Sequence, residues 1–211
     1  MEPEKKHWED IYRTKQPEEV SWTQEVPVIS LGLIRSFQLP KTARIIDIGG
    51  GDSKLADFLL DADYKDVTVL DISGAALERA RQRLGSRADK IKWVEQDITR
   101  FDPTTRFDLW HDRAAFHFLT GIEQINKYLS IARKSINDGG YAVIGTFSAD
   151  GPEKCSGLPI RRYDEQTLAA AFSTGFKKIS CITEDHITPF QTKQNFLYCS
   201  FRKERQGVAD K

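Results

Sequence analysis

The chain has 211 residues, in which 31 Lys plus Arg balance 31 Asp plus Glu. A chain of this length favours one domain with a single large core, and its 39% hydrophobic content is that of an ordinary globular protein. Because the formal net charge is zero, composition gives no electrostatic reason to expect a nucleic-acid or membrane partner, and we expect neither.

The three cysteines argue against a disulfide framework and against a structural zinc site. Cys155, Cys181 and Cys199 are odd in number and show no CxxC spacing, a pattern typical of proteins in a reducing compartment. The charged N-terminus lacks the apolar segment of a secretory signal, and no apolar run is long enough to span a bilayer. We therefore expect a cytoplasmic protein.

Strand and helix patterns alternate along the first two thirds of the chain. Apolar runs predict buried strands at 43–49, 66–73, 90–98, 106–112 and 141–147. Helical spacing of apolar residues occurs over 55–62, 74–84 and 122–136. A further helix is predicted near 164–175, and then two strand-like runs, FKKISCIT and QNFLYCSFR, follow with no helical pattern between them, which predicts an antiparallel pair. This order is typical of an α/β sandwich with a mostly parallel sheet and one reversed strand.

Three consecutive glycines, at 49–51, separate the first predicted strand from the first predicted helix. A dinucleotide-binding turn requires G-x-G-x-x-G/A, and here the long charged side chain of Lys54 stands at the last small position. A phosphate-binding loop requires a following G-K-[ST], which the sequence lacks. A turn without a ligand is the alternative, although a triple glycine costs conformational entropy and supplies no packing. The frame D-x-G-x-G-x-S at 47–53 therefore indicates a ligand that needs close backbone and a nearby carboxylate.

This frame resembles the first motif of the class I S-adenosylmethionine-dependent methyltransferases, whose usual pattern is acid-x-Gly-x-Gly-x-Gly. Ser53 stands where the third glycine is usual. The stretches HWEDIY, EVSW, VLDIS, DLWHDRAAFHFL, DGPEKCSGLPIRRY and QNFLY are similar to a bacterial branch often called methyltransferase type 12, and they extend from about residue 7 to 203. The resemblance implies a Rossmann-like three-layer sandwich, with a mostly parallel seven-stranded sheet and one antiparallel strand near the C-terminus. It also implies S-adenosyl-L-methionine as the cofactor.

Acidic residues at the ends of successive predicted strands fit this donor. Asp71 follows Gly51 by 20 residues, where a carboxylate can accept hydrogen bonds from both ribose hydroxyls; the alternative is a simple turn residue before a helix. Asp97 would, by resemblance, meet the adenine amino group, with Ile98 as an apolar wall beside it. The predicted cofactor-binding residues are Trp22, Asp47, Gly49, Gly50, Gly51, Ser53, Asp71, Ile72, Asp97 and Ile98.

The stretch WHDRAAFHF at 110–118 follows the fourth predicted strand, where the resembling enzymes place residues that face the transferred methyl. Methyl transfer is an in-line displacement from a sulfonium, so the protein mainly aligns the reactants, and a histidine base helps when the acceptor carries a proton. We predict His111, Asp112 and His117 as catalytic residues. The alternative is that the aromatic residues are core and that Asp112 and Arg113 form a surface ion pair. A metal would need a third ligand that we do not identify, and we predict none.

The loop at 150–164, after the fifth predicted strand, is expected to shape the acceptor pocket. Arg161 and Arg162 are candidates for binding an anionic acceptor through charge-assisted hydrogen bonds. Cys155 is either a contact for a soft acceptor atom or, as the favoured alternative, a buried small residue.

The segment 7–22 precedes the first predicted strand and carries three large aromatic residues. It is either a helix packed on the flank of the domain or, as the resemblance favours, a lid that closes over the donor. The chain is accordingly predicted to divide into a helical lid segment (1–40), a methyltransferase domain (41–205) and a flexible tail (206–211).

Taken together, these features predict a methyltransferase that acts on a small molecule, because the compact chain leaves little surface for a macromolecular substrate. The alternatives are a protein-lysine methyltransferase of the same fold, which EVSW supports, and a non-catalytic protein that binds the donor. A nicotinamide oxidoreductase is disfavoured by Lys54. The sequence identifies neither the acceptor atom nor the oligomeric state.

Overall fold

A computed structural model describes residues 3–205 and shows a seven-stranded sheet between two layers of helices. The strands are β1 (Arg44–Ile48), β2 (Asp66–Asp71), β3 (Ile91–Glu95), β4 (Phe107–Arg113), β5 (Ile136–Phe147), β6 (Lys154–Cys155), β7 (Leu158–Pro159), β8 (Phe176–Ile187) and β9 (Lys193–Lys203). The helices are α1 (Pro3–Thr14), α2 (Val28–Ser36), α3 (Leu55–Asp61), α4 (Gly74–Leu84), α5 (Ile122–Ser135) and α6 (Glu165–Ala171). No helix in this part of the chain is both long and apolar enough to cross a membrane. The predicted tail at 206–211 lies outside the described residues.

The sheet has the strand order β3-β2-β1-β4-β5-β9-β8. Neighbouring strands are parallel, except that β9 runs antiparallel to both β5 and β8. The two short strands β6 and β7 form a separate hairpin. The predicted fold is therefore confirmed. Because the chain order runs outward from β1 in one direction and from β4 in the other, the carboxyl ends of these two strands form the switch point at which open α/β sheets bind ligands.

Alternating side chains of the central strands fill two separate cores. Ile45 on β1 packs with Leu31 of α2 and Leu59 of α3, whereas its neighbour Ile46 packs with Tyr128 of α5. Successive strand residues point to opposite faces of a sheet, so a strand with apolar residues on both faces is covered by helices on both sides. This double coverage fixes the positions of the strand ends, where the polar residues lie.

Two element boundaries differ from the sequence prediction. β3 ends at Glu95, so Asp97 lies beyond the strand, at the start of a short 3-10 turn over 98–100. β5 begins at Ile136 and includes residues 137–140, which lie between the helix predicted to end at 136 and the strand predicted to begin at 141. The register between β4 and β5 is irregular at this point, and Gly139 has a φ of 79°. Turn-type residues here mark an irregularity within a strand rather than a chain reversal.

Cys181 and Cys199 form a disulfide between β8 and β9, where the two residues face each other in register. The expectation that the chain carries no disulfide is therefore wrong for this pair. The cysteines are 18 residues apart and meet only through antiparallel pairing, so CxxC spacing does not reveal them. Cys155 is free and buried.

Candidate active site

A cavity of about 780 Å³ opens at the carboxyl ends of β1, β2 and β4. The N-terminal segment and the β6–β7 hairpin complete its walls. The predicted site residues that line it are Trp22, Asp47, Gly49, Gly50, Ser53, Asp71, Ile72, Asp97, Ile98 and His111. Gly51 lies against this wall, next to Asp71 and Tyr12. The fold thus brings residues from five separate segments of the chain to one opening.

Two glycines in the turn after β1 adopt left-handed backbone conformations and are closely surrounded. Gly49 has a φ of +63°, and a Cβ built on it would lie 2.5 Å from Cβ of Ala115. Gly51 has a φ of +49°, and its Cβ would lie 2.7 Å from the hydroxyl oxygen of Tyr12 and 3.2 Å from Oδ2 of Asp71. Residues with a side chain rarely adopt this φ, so both conformation and space require glycine. The turn presents bare backbone beside a carboxylate.

Asp71 is the last residue of β2 and is only 6% exposed. Its Oδ1 accepts a 2.8 Å hydrogen bond from the backbone N–H of Ser73, the residue that caps α4. Burial raises the pKa of Asp71 to about 7, although hydrogen bonds from the backbone N–H groups of Ser73 and Gly51 act to lower it. The carboxyl therefore titrates near neutral pH, and a ligand that donates hydrogen bonds to it would favour the charged form.

Asp97 and Ile98 line the cavity from the turn after β3. Oδ1 of Asp97 accepts hydrogen bonds from the backbone N–H and the hydroxyl of Thr99, at 2.8 and 2.9 Å. These bonds cap the 3-10 turn that follows and fix the carboxylate in the cavity wall, with the half-buried Ile98 beside it.

His111 joins the glycine turn to α2. Its Nδ1 lies 2.6 Å from Oδ1 of Asp47, and its Nε2 lies 2.8 Å from the hydroxyl oxygen of Ser30. All three residues are at most 2% exposed, and His111 and Asp47 are direct register partners on β4 and β1. Because both ring nitrogens have a protein partner, the ring is held in one orientation beside the cavity.

Asp112 points to the opposite face of the sheet from His111, because side chains alternate along a strand. It is fully buried, and its Oδ2 accepts a 2.6 Å hydrogen bond from the hydroxyl of Tyr128. Its Oδ1 accepts hydrogen bonds from the backbone N–H groups of Ala115 and Phe116. Burial raises the pKa of Asp112 to about 6. The side chain holds the loop after β4 and does not line the cavity, so the structure supports neither the catalytic role nor a surface ion pair.

His117 is also fully buried and is absent from the cavity lining. Its Nδ1 accepts a 3.3 Å hydrogen bond from the backbone N–H of Phe147, and its ring packs against the rings of Phe118 and Phe147. Burial lowers the pKa of His117 to about 3, so the ring is neutral. Its environment is that of a core histidine, and the predicted role as an acceptor base is not supported.

The N-terminal segment contributes an aromatic wall of three residues, Trp8, Tyr12 and Trp22, to the cavity. The ring centroids of Trp8 and Tyr12 lie 5.8 and 6.2 Å from that of Trp22. The hydroxyl of Tyr12 faces Gly51, and burial, with Asp71 as the next cause, raises the pKa of this phenol. The segment is therefore part of the site, as the lid hypothesis requires.

α1 also forms polar contacts with α4, as the alternative of a helix packed on the flank of the domain requires. Glu9 is 4% exposed, and its Oε1 accepts hydrogen bonds from the hydroxyl of Ser73 and the backbone N–H of Ala75, both at 3.2 Å. Arg79 of α4 donates from Nη2 to the carbonyl oxygens of Tyr12 and Lys15. These residues escaped the sequence prediction because each bond joins positions more than 60 apart in the chain.

On the other side of the cavity, the loop predicted to shape the acceptor pocket contributes Cys155, Leu158 and Pro159. Burial raises the pKa of Cys155 to about 12, so its thiol is neutral. Arg161 and Arg162 do not line the cavity: the first lies over the ring of Tyr163, and the second bonds to the carbonyl of Gly151 and to Glu153. The cation at this wall is instead Arg113, at the end of β4.

Residues 46–142 match a family model described as a methyltransferase domain. Over 141 residues the chain is 22% identical to the eEF1A lysine and N-terminal methyltransferase of Bos taurus, covering 64% of this chain and 20% of that protein. Over 104 residues it is 34% identical to the malonyl-[acyl-carrier protein] O-methyltransferase of Anoxybacillus flavithermus, covering 49% and 38% respectively. The chain thus matches about a fifth of the length of the first relative and well under half of the second.

Solved structures share the fold over most of the chain. One, from the study “Conversion of a Disulfide Bond into a Thioacetal Group during Echinomycin Biosynthesis”, is 19% identical with a TM-score of 0.76, covering 97% of this chain and 95% of that one. The N-methyltransferase NodS of Bradyrhizobium japonicum WM9, in complex with S-adenosyl-L-homocysteine, is 19% identical with a TM-score of 0.67, covering 86% and 90%. At this identity the likeness shows the fold. The family match identifies residues 46–142 as a methyltransferase domain, and the fold around them is shared with S-adenosylmethionine-dependent methyltransferases.

Proposed function

We propose that this protein transfers a methyl group from S-adenosylmethionine to a small-molecule acceptor by in-line displacement. The proposal rests on the close contact of Gly51 with Tyr12 and Asp71 at the switch point of the sheet. A Cβ at residue 51 would crowd both neighbours, at 2.7 and 3.2 Å, so bare backbone and a buried carboxylate share one wall. A nucleoside with two free ribose hydroxyls offers the hydrogen-bond donors that such a carboxylate accepts.

The nucleoside end would lie along the turns after β2 and β3. Asp71 would accept hydrogen bonds from the ribose hydroxyls, and Ile72 and Ile98 would contact the adenine faces. Asp97, whose orientation is fixed by its capping bonds, would accept a hydrogen bond from the adenine amino group.

The amino-acid end would lie over the turn after β1, where Gly49 and Gly50 line the cavity and Asp47 adds a negative charge; Ser53 lines the cavity after this turn. Trp22 would face the sulfonium, which an aromatic ring attracts by cation–π interaction. When bound, S-adenosylmethionine supplies a methyl group that is already activated by its sulfonium. The residues of the chain therefore have to align the acceptor and exclude water.

His111 serves in this proposal as a positioning residue for Asp47 rather than as a base. Both of its ring nitrogens have partners at 2.6 and 2.8 Å, so accepting a proton from an acceptor would first require the bond to Ser30 to break. Catalysis then comes from the cavity walls, which align the acceptor with the methyl group of the donor. Because His111 does not act as a base, an acceptor that is already a good nucleophile fits this arrangement best.

A small acceptor is favoured by the size of the cavity. Its volume of about 780 Å³ lies in the range of small-ligand sites, and the same space has to hold the donor. The competing function is a protein methyltransferase, which is favoured by the likeness to the eEF1A lysine and N-terminal methyltransferase of Bos taurus.

Calorimetry with S-adenosylhomocysteine tests the donor site. We expect saturable binding to the wild type and at least tenfold weaker binding to Asp71→Ala, while Asp61→Ala, an exposed residue paired with Arg87, leaves the affinity unchanged. Absence of saturable binding to the wild type would refute the proposed function.

The acceptor class requires a second experiment. The protein is incubated with S-adenosylmethionine carrying a labelled methyl group and with a desalted or a complete cell extract. Label in the low-molecular-mass fraction of the complete extract supports a small acceptor. Label confined to protein bands in both extracts would instead support the protein methyltransferase.

A further inference from the structure

Arg113 carries a positive charge into the acceptor side of the cavity and is held there by neutral groups. Its Nε donates a 2.8 Å hydrogen bond to the hydroxyl of Tyr198, and its Nη1 donates a 2.8 Å hydrogen bond to the carbonyl oxygen of Trp22. Its guanidinium lies 4.6 Å from the ring centroid of Phe196. Within residues 3–205 no carboxylate forms an ion pair with it.

Gly145 makes this arrangement possible. Arg113 on β4 pairs with Gly145 on β5, which in turn pairs with Tyr198 on β9. A Cβ on Gly145 would lie 2.8 Å from Cε1 and 2.9 Å from Cδ1 of the Tyr198 ring. The missing side chain therefore leaves room for the ring to lie across β5, so that its hydroxyl reaches a guanidinium two strands away. Three strands together fix the direction of one cation.

In the described part of the chain Arg113 forms no direct ion pair, although the carboxylate of Glu184 interacts with the same Tyr198 hydroxyl. Nη2 is buried and has no hydrogen-bond partner among the described residues. Burial raises the pKa of Tyr198 to about 12, so the phenol stays neutral and supplies no counter-charge. An unpaired buried donor is unfavourable, most of all on a charged group, so this wall is suited to an anionic ligand.

The donor carries a carboxylate beside its ammonium group, and we assign the anion at Arg113 to the acceptor because Arg113 lies away from the acidic half of the cavity. The acidic residues Asp47, Asp71 and Asp97 line the half of the cavity formed by β1, β2 and β3, and they disfavour an anion there. Arg113 instead contacts Tyr198 and residue 196 on β9, in the other half of the sheet. One cation balances one negative charge, and the planar guanidinium matches a carboxylate in geometry.

We propose that Arg113 binds a carboxylate group carried by the methyl acceptor, with Tyr198 as the residue that positions the guanidinium. The acceptors of this enzyme are then small carboxylate-bearing molecules. This inference rests on the proposed function, since it assigns the part of the cavity that the donor leaves open. Arg161 and Arg162, the arginines favoured by the sequence, do not face this space.

Calorimetry on the protein saturated with S-adenosylhomocysteine tests the assignment. The probes are benzoate and phenylacetate, each compared with its primary amide, and inorganic phosphate. We expect saturable binding of at least one carboxylate, at least tenfold tighter than its amide. Arg113→Met should lose this binding by tenfold or more, whereas Arg162→Met, an exposed arginine outside the cavity, should bind as the wild type does.

Two further variants keep the test decisive if Arg113→Met does not fold. Arg113→Lys keeps the charge but loses the planar guanidinium with its paired N–H donors, and Tyr198→Phe removes only one hydroxyl. Each variant should weaken carboxylate binding, while its affinity for S-adenosylhomocysteine stays within twofold of that of the wild type. A merely structural role of Tyr198 would lower the melting temperature without changing the preference for acid over amide.

Three results would overturn the assignment. The first is a carboxylate affinity no higher than that of the amide, and the second is binding of phosphate in place of both carboxylates. The third is a tenfold loss of S-adenosylhomocysteine affinity in Arg113→Met, which would show that the guanidinium serves the donor. Failure of the wild type to bind S-adenosylhomocysteine would refute the proposed function itself and is recognised before any carboxylate is added.

Discussion

Nδ1 of His111 lies 2.6 Å from Oδ1 of Asp47, and the two residues face each other in register on neighbouring parallel strands. Both side chains are almost completely buried. A buried carboxylate is stabilised only while its hydrogen-bond partners remain, so this contact fixes the side chain of Asp47, the first residue of the glycine frame, between β1 and β4.

Removing the imidazole should therefore lower both stability and donor affinity. We expect His111→Ala to reduce the free energy of unfolding by about 2 kcal/mol, since it leaves Asp47 buried without its donor. Urea denaturation measures this change, and calorimetry with S-adenosylhomocysteine measures the affinity. His111→Asn keeps an N–H donor close to the position of Nδ1 and should recover part of both losses. Equal stability of His111→Ala and the wild type would show that Asp47 does not depend on this bond.

Donor binding should depend on pH through Asp71. Burial raises the pKa of this carboxyl to about 7, so in the free protein the charged form becomes dominant only above that pH. Ribose hydroxyls bind the charged form better, and the affinity should therefore rise about tenfold between pH 6 and pH 8, following the fraction of charged carboxyl. Calorimetry over this range measures the change.

Asp71→Asn is the matched control for this pH dependence. It keeps the size of the side chain but does not titrate, so its weaker binding should be independent of pH. The stability of the free protein should change in the opposite sense. Because the folded state holds the proton of Asp71 up to about pH 7 and the unfolded state releases it near pH 4, this residue makes folding less favourable as the pH rises between those values. A pH-independent affinity in the wild type would contradict the assignment of Asp71 to the ribose.

The fold was predictable because its signals are local. Each buried strand corresponds to a run of apolar residues, and each covering helix to apolar residues that repeat about every 3.6 positions. The absence of a helical pattern between β8 and β9 predicted the reversed strand. Asp71 was recognisable for the same reason, since it stands directly after such a run.

The parts that escaped prediction depend on contacts between distant segments. Arg113 is held by Tyr198, 85 residues later, and by Trp22, 91 residues earlier, and no local pattern encodes these bonds. For Asp112 a signal was available: strand side chains alternate, so this residue and His111 had to face opposite sides of the sheet. The prediction grouped them by their place in the stretch 110–118, although the strand predicted at 106–112 contains both residues, and β4 extends through Arg113.

Loosening α1 should weaken donor binding without disturbing the sheet. Glu9 fastens α1 to the start of α4 through the hydroxyl of Ser73 and the N–H of Ala75, and α1 carries Tyr12 to the cavity. We expect Glu9→Ala to lower the free energy of unfolding by about 1–2 kcal/mol and the affinity for S-adenosylhomocysteine by about tenfold. Asp10→Ala, on the exposed side of the same helix, should change neither quantity by a measurable amount.

Limited proteolysis distinguishes a released helix from a general loss of stability. In Glu9→Ala the first cleavage should move into residues 3–25, and S-adenosylhomocysteine at saturating concentration should slow it, because binding couples α1 to the sheet. Cleavage that begins in the sheet instead would argue that Glu9 supports the whole domain rather than the cavity wall.

Gly51→Ala should abolish donor binding at a modest cost in stability. The new Cβ would lie 2.7 Å from the hydroxyl oxygen of Tyr12, so the ring must move away from the cavity wall, and the φ of +49° adds backbone strain of about 1–2 kcal/mol. Gly139→Ala is the matched control. Its φ of +79° imposes a similar strain, but the nearest atom to its Cβ is 3.8 Å away, at the end of Arg202.

Comparing the two variants separates strain from crowding. Both should lose about the same free energy of unfolding in urea, and only Gly51→Ala should lose saturable binding of S-adenosylhomocysteine in calorimetry. The double variant Gly51→Ala/Tyr12→Phe removes the hydroxyl that the methyl group displaces, so binding should return in part. If the double variant binds no better than Gly51→Ala, the strained backbone rather than the contact with Tyr12 blocks the donor, because relief of the contact then has no effect.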